Sequence, residues 1–359
     1  MRLRTNILLF LVITWMSCVD KVNLSLPASE LPLIIEGQVT AGIGPHFVTI
    51  SKAFPVDGQY YVPKAVRAEE VSITDDAGKR DVLRPVIDET GAVVVGSYQT
   101  IALTGVVGRK YQLKIVMPDG LLLESTMETM AASGSIDTIY HEYTSRQSNS
   151  IGIPEEGFNV YVDATLAPGS SRRLRWKFNG TYKITTDPSA IVIPPPPDST
   201  GGPTTLACAT NCECCTCYVG VREESPIMNN PTFVGTEQIK RAFVQYIPIN
   251  NYTFNEKYRL EVDQMELSQV VFDFYEGIRG QTANGSSLFQ PPFFELKGNI
   301  TAVNSTVRVV GIFSAAEISS KAMFLTRSDV PHAVSITAVP GDCRVVVSNS
   351  SITVPPFWE

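Results

Sequence analysis

Residues 257–324 read KYRLEVDQMELSQVVFDFYEGIRGQTANGSSLFQPPFFELKGNITAVNSTVRVVGIFSAAEISSKAMF, and they place one helix among strands. Ser268 is suited to cap that helix, because its hydroxyl can accept an orphan backbone N–H of the first turn. Val271, Phe274, Tyr275 and Ile278 then recur at i, i+3, i+4 and i+7 and make one apolar face. Gln269, Asp273 and Glu276 fall on the opposite side. Gly280 and the pair Asn284-Gly285 predict the stop, so the helix is expected over 268–280 with its apolar face on a C-terminal sheet. Beyond the helix the chain reads as extended, over Leu296–Thr301 and then Thr306–Phe313. A lone helix set among strands predicts a mainly β protein rather than an alternating α/β one.

Working back towards the N-terminus, seven short strand-like runs lie at close spacing, from Pro32–Thr40 to Leu121–Thr126, with no helical period between them. Turn signals such as Asp76-Ala77-Gly78 and Pro118-Asp119-Gly120 separate them, a pattern that predicts an immunoglobulin-like β-sandwich over 32–132. A small-residue linker, Met130 to Gly134, then opens a larger antiparallel β domain over 133–359. In it, Phe158–Leu166 and Arg172–Ile184 read as a hairpin turning at Pro168-Gly169. Leu174, Trp176 and Phe178 share one face of the second strand, with Arg173, Arg175 and Lys177 on the other, as in a half-buried strand. The run IVIPPPPDSTGGPT, 191–204, fixes φ at four successive prolines and reads as a surface loop more readily than as a proline-recognition ligand.

The first residues read as an address. Arg2 and Arg4 precede an apolar core, ILLFLVITW, that is shorter than the roughly 20 residues a membrane span needs. The core ends at Ser17-Cys18, where a lipoprotein signal would be cut and the cysteine acylated. The expected layout is a signal peptide over 1–17 and a lipidated tether over 18–31. The formal charge of −7, with no stripe of Lys and Arg, argues against nucleic acid as a partner.

Several of these stretches resemble one family. SSLFQPP, GNI and VVGIFSAA after the aromatic helix, the opening LSLPASELPLIIEGQVT and the tail VPPFWE are similar to the signature of a Bacteroidetes outer-membrane lipoprotein family known as domain of unknown function 4249. The resemblance implies a lipid-anchored outer-membrane location, on either face, and a mostly β architecture. By general placement it implies a non-catalytic accessory or ligand-binding role beside a β-barrel transporter of the TonB-dependent type. An envelope hydrolase with an unrecognised site in the C-terminal domain is the alternative.

Five of the seven cysteines crowd into ten residues: Cys208, Cys212, Cys214, Cys215 and Cys217. With Cys343 they make six, which allow fifteen pairings. Neighbours two apart on one strand face sit about 6.6–7 Å apart, at the limit for a bridge, so longer-range disulfides are favoured, one of them to Cys343. The competing reading is a thiolate site for Cu(I) or zinc, and the oxidising compartment favours disulfides. The three histidines, His46, His141 and His332, stand apart in sequence, and no H-E-x-x-H, G-x-S-x-G or Gly-rich phosphate loop occurs. No catalytic residue, metal or cofactor is therefore expected. Asp137-Thr138-Ile139 and Asp198-Ser199-Thr200 resemble a short O-glycosylation pattern, which marks Thr138 and Ser199 as candidates. The Asn-x-Ser/Thr sites read as products of polar turns.

Overall fold

A computed structural model describes residues 31–56, 60–147, 154–187, 192–193, 204–205, 215–233, 237–284, 296–332 and 339–358. The protein is mainly β, built as two sandwiches. In the first, one sheet runs from Val309–Ala316 through Leu33–Thr40, Phe47–Val56 and Val93–Gln99 to Arg84–Ile87, with Tyr60–Ala65 hairpinned onto Phe47–Val56. The facing sheet runs from Ile300–Ala302 through Leu122–Ser125, Lys110–Val116 and Glu70–Asp75 to Arg80–Val82. Alternate residues of the central strands point inward, so Ile35, Val48 and Ile50 meet Ile73, Leu113 and Ile115 in a single core.

Two of these strands come from the far end of the chain. Residues 300–302 and 309–316 belong to the stretch expected in the second domain, yet they complete both sheets of the first. Val309–Ala316 pairs parallel with Leu33–Thr40, from Leu33 opposite Val309 to Thr40 opposite Ala316. The GNI residues explain the fit. Gly298 lies against the backbone of Gly311, where any side chain would collide. The buried Asn299 accepts from the Phe313 N–H at 2.8 Å and donates to the Phe313 carbonyl at 2.7 Å and to Glu128 at 2.8 Å. Its amide thus copies one rung of a β-ladder. Being buried, this Asn is a structural strut and not a surface glycosylation site.

The second sandwich packs a three-stranded sheet, Ser135–Gln147, Pro154–Thr165 and Gln238–Pro248, on a larger one. The larger sheet runs Ser319–Thr326, Lys257–Glu266, Leu174–Asp187, Thr216–Arg222 and Ser350–Ser351, with Ile227–Met228 and Val339–Pro340 also on Leu174–Asp187. The expected hairpin between Phe158–Leu166 and Arg172–Ile184 does not form. Its two strands lie in opposite sheets, because their apolar faces, Phe158, Val160 and Val162 against Leu174 and Phe178, meet across the core instead of lying side by side. Gly169, at φ 76°, carries the chain across.

The helix spans Gln269–Asn284, and the Ser268 hydroxyl accepts the Val271 N–H at 3.4 Å. It runs past Gly280, which takes no left-handed turn. Val271, Phe274 and Tyr275 are buried as expected, and Ile278 is half-buried. Phe272 is buried as well. The expected support, the C-terminal sheet alone, is corrected: these residues pack on Met228 and Met265 of the second sandwich and on Ile312 and Ala316 of the first. The helix is therefore the wedge between the two bodies. A second, four-residue helix covers Cys343–Val346.

Candidate binding groove

The second sandwich is open along one side, between the edge strand Gln238–Pro248 and the short strand Ile227–Met228. The opening holds a groove of about 960 Å³, floored by Trp176, Ile227 and Met228, walled by Ile239 and Phe243, and closed at one end by Arg279 of the helix. Two hydrogen bonds fix the indole: Trp176 Nε1 donates to Gln264 at 3.0 Å, and Gln264 Nε2 donates to the Ser133 carbonyl at 2.8 Å. Phe243 is 51% exposed although its ring meets Tyr161 edge-on at 5.9 Å. Asn229 shapes the rim by accepting from the Leu174 N–H and donating to the Arg172 carbonyl. Shifts of register against Pro154–Thr165 and a positive φ of 55° at Arg241 bend the edge strand. An apolar floor ringed by amides and by charges of both signs, Glu224 beside Lys240 and Arg279, suits an organic or peptide ligand that offers both apolar surface and hydrogen-bonding groups.

Behind the floor lies the strand face expected to meet water. Arg175 is instead buried, because the helix covers it: its guanidinium stacks on the Tyr275 ring at 3.9 Å and pairs with Glu223 at 3.1 Å. Burial pushes the Tyr275 hydroxyl up in pKa. Lys177 reaches the first sandwich, donating to Gln38 at 3.4 Å, and burial lowers its pKa. Asp263 nearby is raised by burial, and Ser320 donates to it at 2.5 Å. A smaller cavity of about 270 Å³ lies at this junction, between Lys177 and the first-sandwich residues Glu36, Gln38 and His46. His46 is 2% exposed, its Nδ1 accepts the Thr40 N–H at 3.3 Å, and burial lowers its pKa.

Of the cysteines, Cys217 and Cys343 form a disulfide with Cα atoms 5.9 Å apart across 126 residues of chain. Both are fully buried, and the bridge ties the short C-terminal helix to the strand Thr216–Arg222. Cys215 is also in a disulfide, so neither it nor Cys217 is a thiolate available to a metal. Cys18, Cys208, Cys212, Cys214 and Ser199 lie outside the described residues. Thr138 sits exposed on the edge strand Ser135–Gln147. Around it the histidines separate: His141 lies 3.9 Å from Asp329, and His332 pairs with Glu156 at 3.0 Å. The Tyr143 hydroxyl donates to Glu156 at 2.8 Å, and that bond raises its pKa. Among the described residues no helix is long and apolar enough to cross a membrane.

Sequence reasoning missed the groove, although most of its lining falls within residues 224–245, because the irregular edge strand there shows no clean alternation and Trp176 and Arg279 join it only in the fold. The exposed Phe243 is its local signal.

Two sandwiches with a helix wedged between them, and a groove along one side of the second, make this a mainly β protein. The chain belongs to the family described as "Domain of unknown function (DUF4249)", which matches residues 19–322. No curated protein and no solved structure matches it.

Proposed function

We propose that this is a non-catalytic, lipid-anchored cell-envelope protein that binds a ligand or partner through the groove beside Phe243. In this reading Cys18 carries the lipid, and the protein serves an outer-membrane β-barrel transporter of the TonB-dependent type. The observation that carries the binding role is the groove: about 960 Å³ of space with a rigid indole in its floor and an exposed aromatic on its wall. Such a pre-formed concavity accepts an occupant without reorganising the fold. The short apolar core ending at Ser17-Cys18 supports the anchor.

The test is co-purification of the tagged full chain from detergent-solubilised envelopes, beside Phe243→Glu and Cys18→Ser variants. A transporter barrel should be recovered with the parent chain and lost with Phe243→Glu. Cys18→Ser should release the protein from membranes. Recovery undiminished by Phe243→Glu would move the site elsewhere, and a chain that hydrolyses an envelope ester or peptide would overturn the non-catalytic reading.

A further inference from the structure

The first sandwich breaks the usual in-and-out alternation of strand residues at two places. Gly91–Val95 are all exposed, and so are Val62–Ala65, so each of these strands stands in solvent on both faces. They belong to two antiparallel strand pairs, Phe47–Val56 with Tyr60–Ala65 and Arg84–Ile87 with Val93–Gln99, that project past the core. The hairpins touch: a side chain on Gly96 would strike Ala65 and Val66. Many of their exposed residues are apolar. Phe54 pairs across its strand with Val62, and Ile87 pairs with Val93. Ile87 is 59% exposed and Val62 48%.

The register fixes where these hairpins point. Leu33 lies opposite Lys52, so the chain enters the sandwich at the end where Phe47–Val56 runs out into its hairpin. Val93–Gln99 runs antiparallel to that strand, with Phe47 opposite Gln99, so Val93 and Ile87 lie at the same end. Cys18 is separated from Leu31 by a tether that spans at most about 45 Å and averages about 20 Å if flexible. An anchor at Cys18 therefore holds this end nearest the bilayer.

We propose that the paired hairpins are a membrane-contact surface, with Phe54, Val62, Ile87 and Val93–Val95 resting in the lipid interface beside the anchor. The inference rests on the anchoring part of the proposed function. Charge on the two hairpins is mixed. Lys52 and Lys64 face each other across one hairpin, Asp88 and Glu89 lie on the other, and Asp88 is kept charged by its bonds to Thr90 and Ala92. The contact is thus apolar and indifferent to headgroup charge. Lys64 already lies over the Phe54 ring at 5.3 Å, the posture of a cation that leaves its aromatic partner to the apolar side. Apolar side chains on a surface of this kind settle about 5–10 Å into the headgroup and acyl boundary.

The test uses the full chain carrying Val62→Trp, Val94→Trp or, beyond the opposite end of Leu33–Thr40, Ile43→Trp. Each variant is reconstituted into phosphatidylcholine vesicles with bromine on the acyl chains. Intact mass reads acylation of Cys18 independently. A parallel set, with a hexahistidine tag in place of Cys18 and nickel-chelating lipid in the vesicles, supplies a tether whatever that mass shows. The added tryptophan at 62 and at 94 should be quenched in both sets, equally at low and high salt, while that at 43 is not. Quenching in the tagged set without acyl mass would sustain the surface and overturn only the anchor. No quenching at 62 or 94 in the tagged set, or equal quenching at 43, would overturn the surface. Absent quenching together with loss of a co-purifying membrane protein in Val94→Asp would reassign the hairpins to a protein partner.

Discussion

The two sandwiches are closed by different means. The first is closed by strands that return from residues 300–316 and hold through backbone pairing, the Asn299 amide and the buried Phe313. The second is closed covalently, by the Cys217–Cys343 bridge, and by a tail whose Trp358 packs between Tyr218 and Phe324. The difference teaches where each body is vulnerable. The first depends on packing delivered from far along the chain; the second depends on redox state.

The sharpest way to break the first body is Phe313→Ala. Its ring is fully buried in the core, so the loss should be about 3–5 kcal/mol. Denaturant unfolding should show it, and amide exchange should rise first in residues 33–40. If those amides stay protected, the return strand is not what closes the body. Cys343→Ala attacks the second body and should cost about 2–5 kcal/mol, with the same loss on adding reductant to the parent protein. Protection of residues 33–40 should not change. A common loss in both bodies would show that they unfold as one unit.

Phe274→Ala tests the wedge itself. The ring is buried against both bodies, and its removal should cost about 3 kcal/mol and lower protection on each side. Unchanged stability would make the helix face a docking surface instead. The smallest expected effect is one of pH. His46 is held neutral, below its ordinary pKa, by burial. The unfolded chain takes up a proton at about pH 6.5, whereas the folded chain resists until lower pH. The stability contributed by keeping His46 neutral is therefore fully present above about pH 6.5 and is lost as pH falls through the lowered folded value. Asp81, which faces the ring, offsets this only in part. His46→Asn should flatten the slope of unfolding free energy against pH just below 6.5; an unchanged slope would exclude His46 as its source.

Local patterns were legible wherever neighbours in sequence set the structure. Ser268 and the spacing of Val271, Phe274 and Tyr275 located the helix and its face, and alternation located most strands of the first sandwich. Partnership at long range stayed hidden. Alternation gives Phe158–Leu166 and Leu174–Asp187 one apolar face each, but it does not say whether those faces pair in one sheet or meet across a core. Arg175 and Lys177 read as solvated because their strand cannot announce that a helix covers it. The run VVGIFSAA did carry a signal: apolar and small residues on both faces mark a strand buried on both sides, and Val309–Ala316 has Phe313 in one core and Ile312 in another. The groove takes most of its lining from residues 224–245, but Trp176 and Arg279 reach it through tertiary structure alone.

The parallel pairing of Leu33–Thr40 with Val309–Ala316 also sets an order of events during synthesis. A chain made from its N-terminus presents residue 33 long before residue 309. Until then Leu33–Thr40 is an open edge and the core beside it lacks Phe313, the state in which nascent chains recruit holdase chaperones or aggregate. The second body, whose described strands begin at Ser135, can assemble its three-stranded sheet in the interval. Completion of the first-made body is thereby postponed until nearly the whole polypeptide is made, so a nascent chain stalled before residue 300 carries its hazard at the N-terminal end.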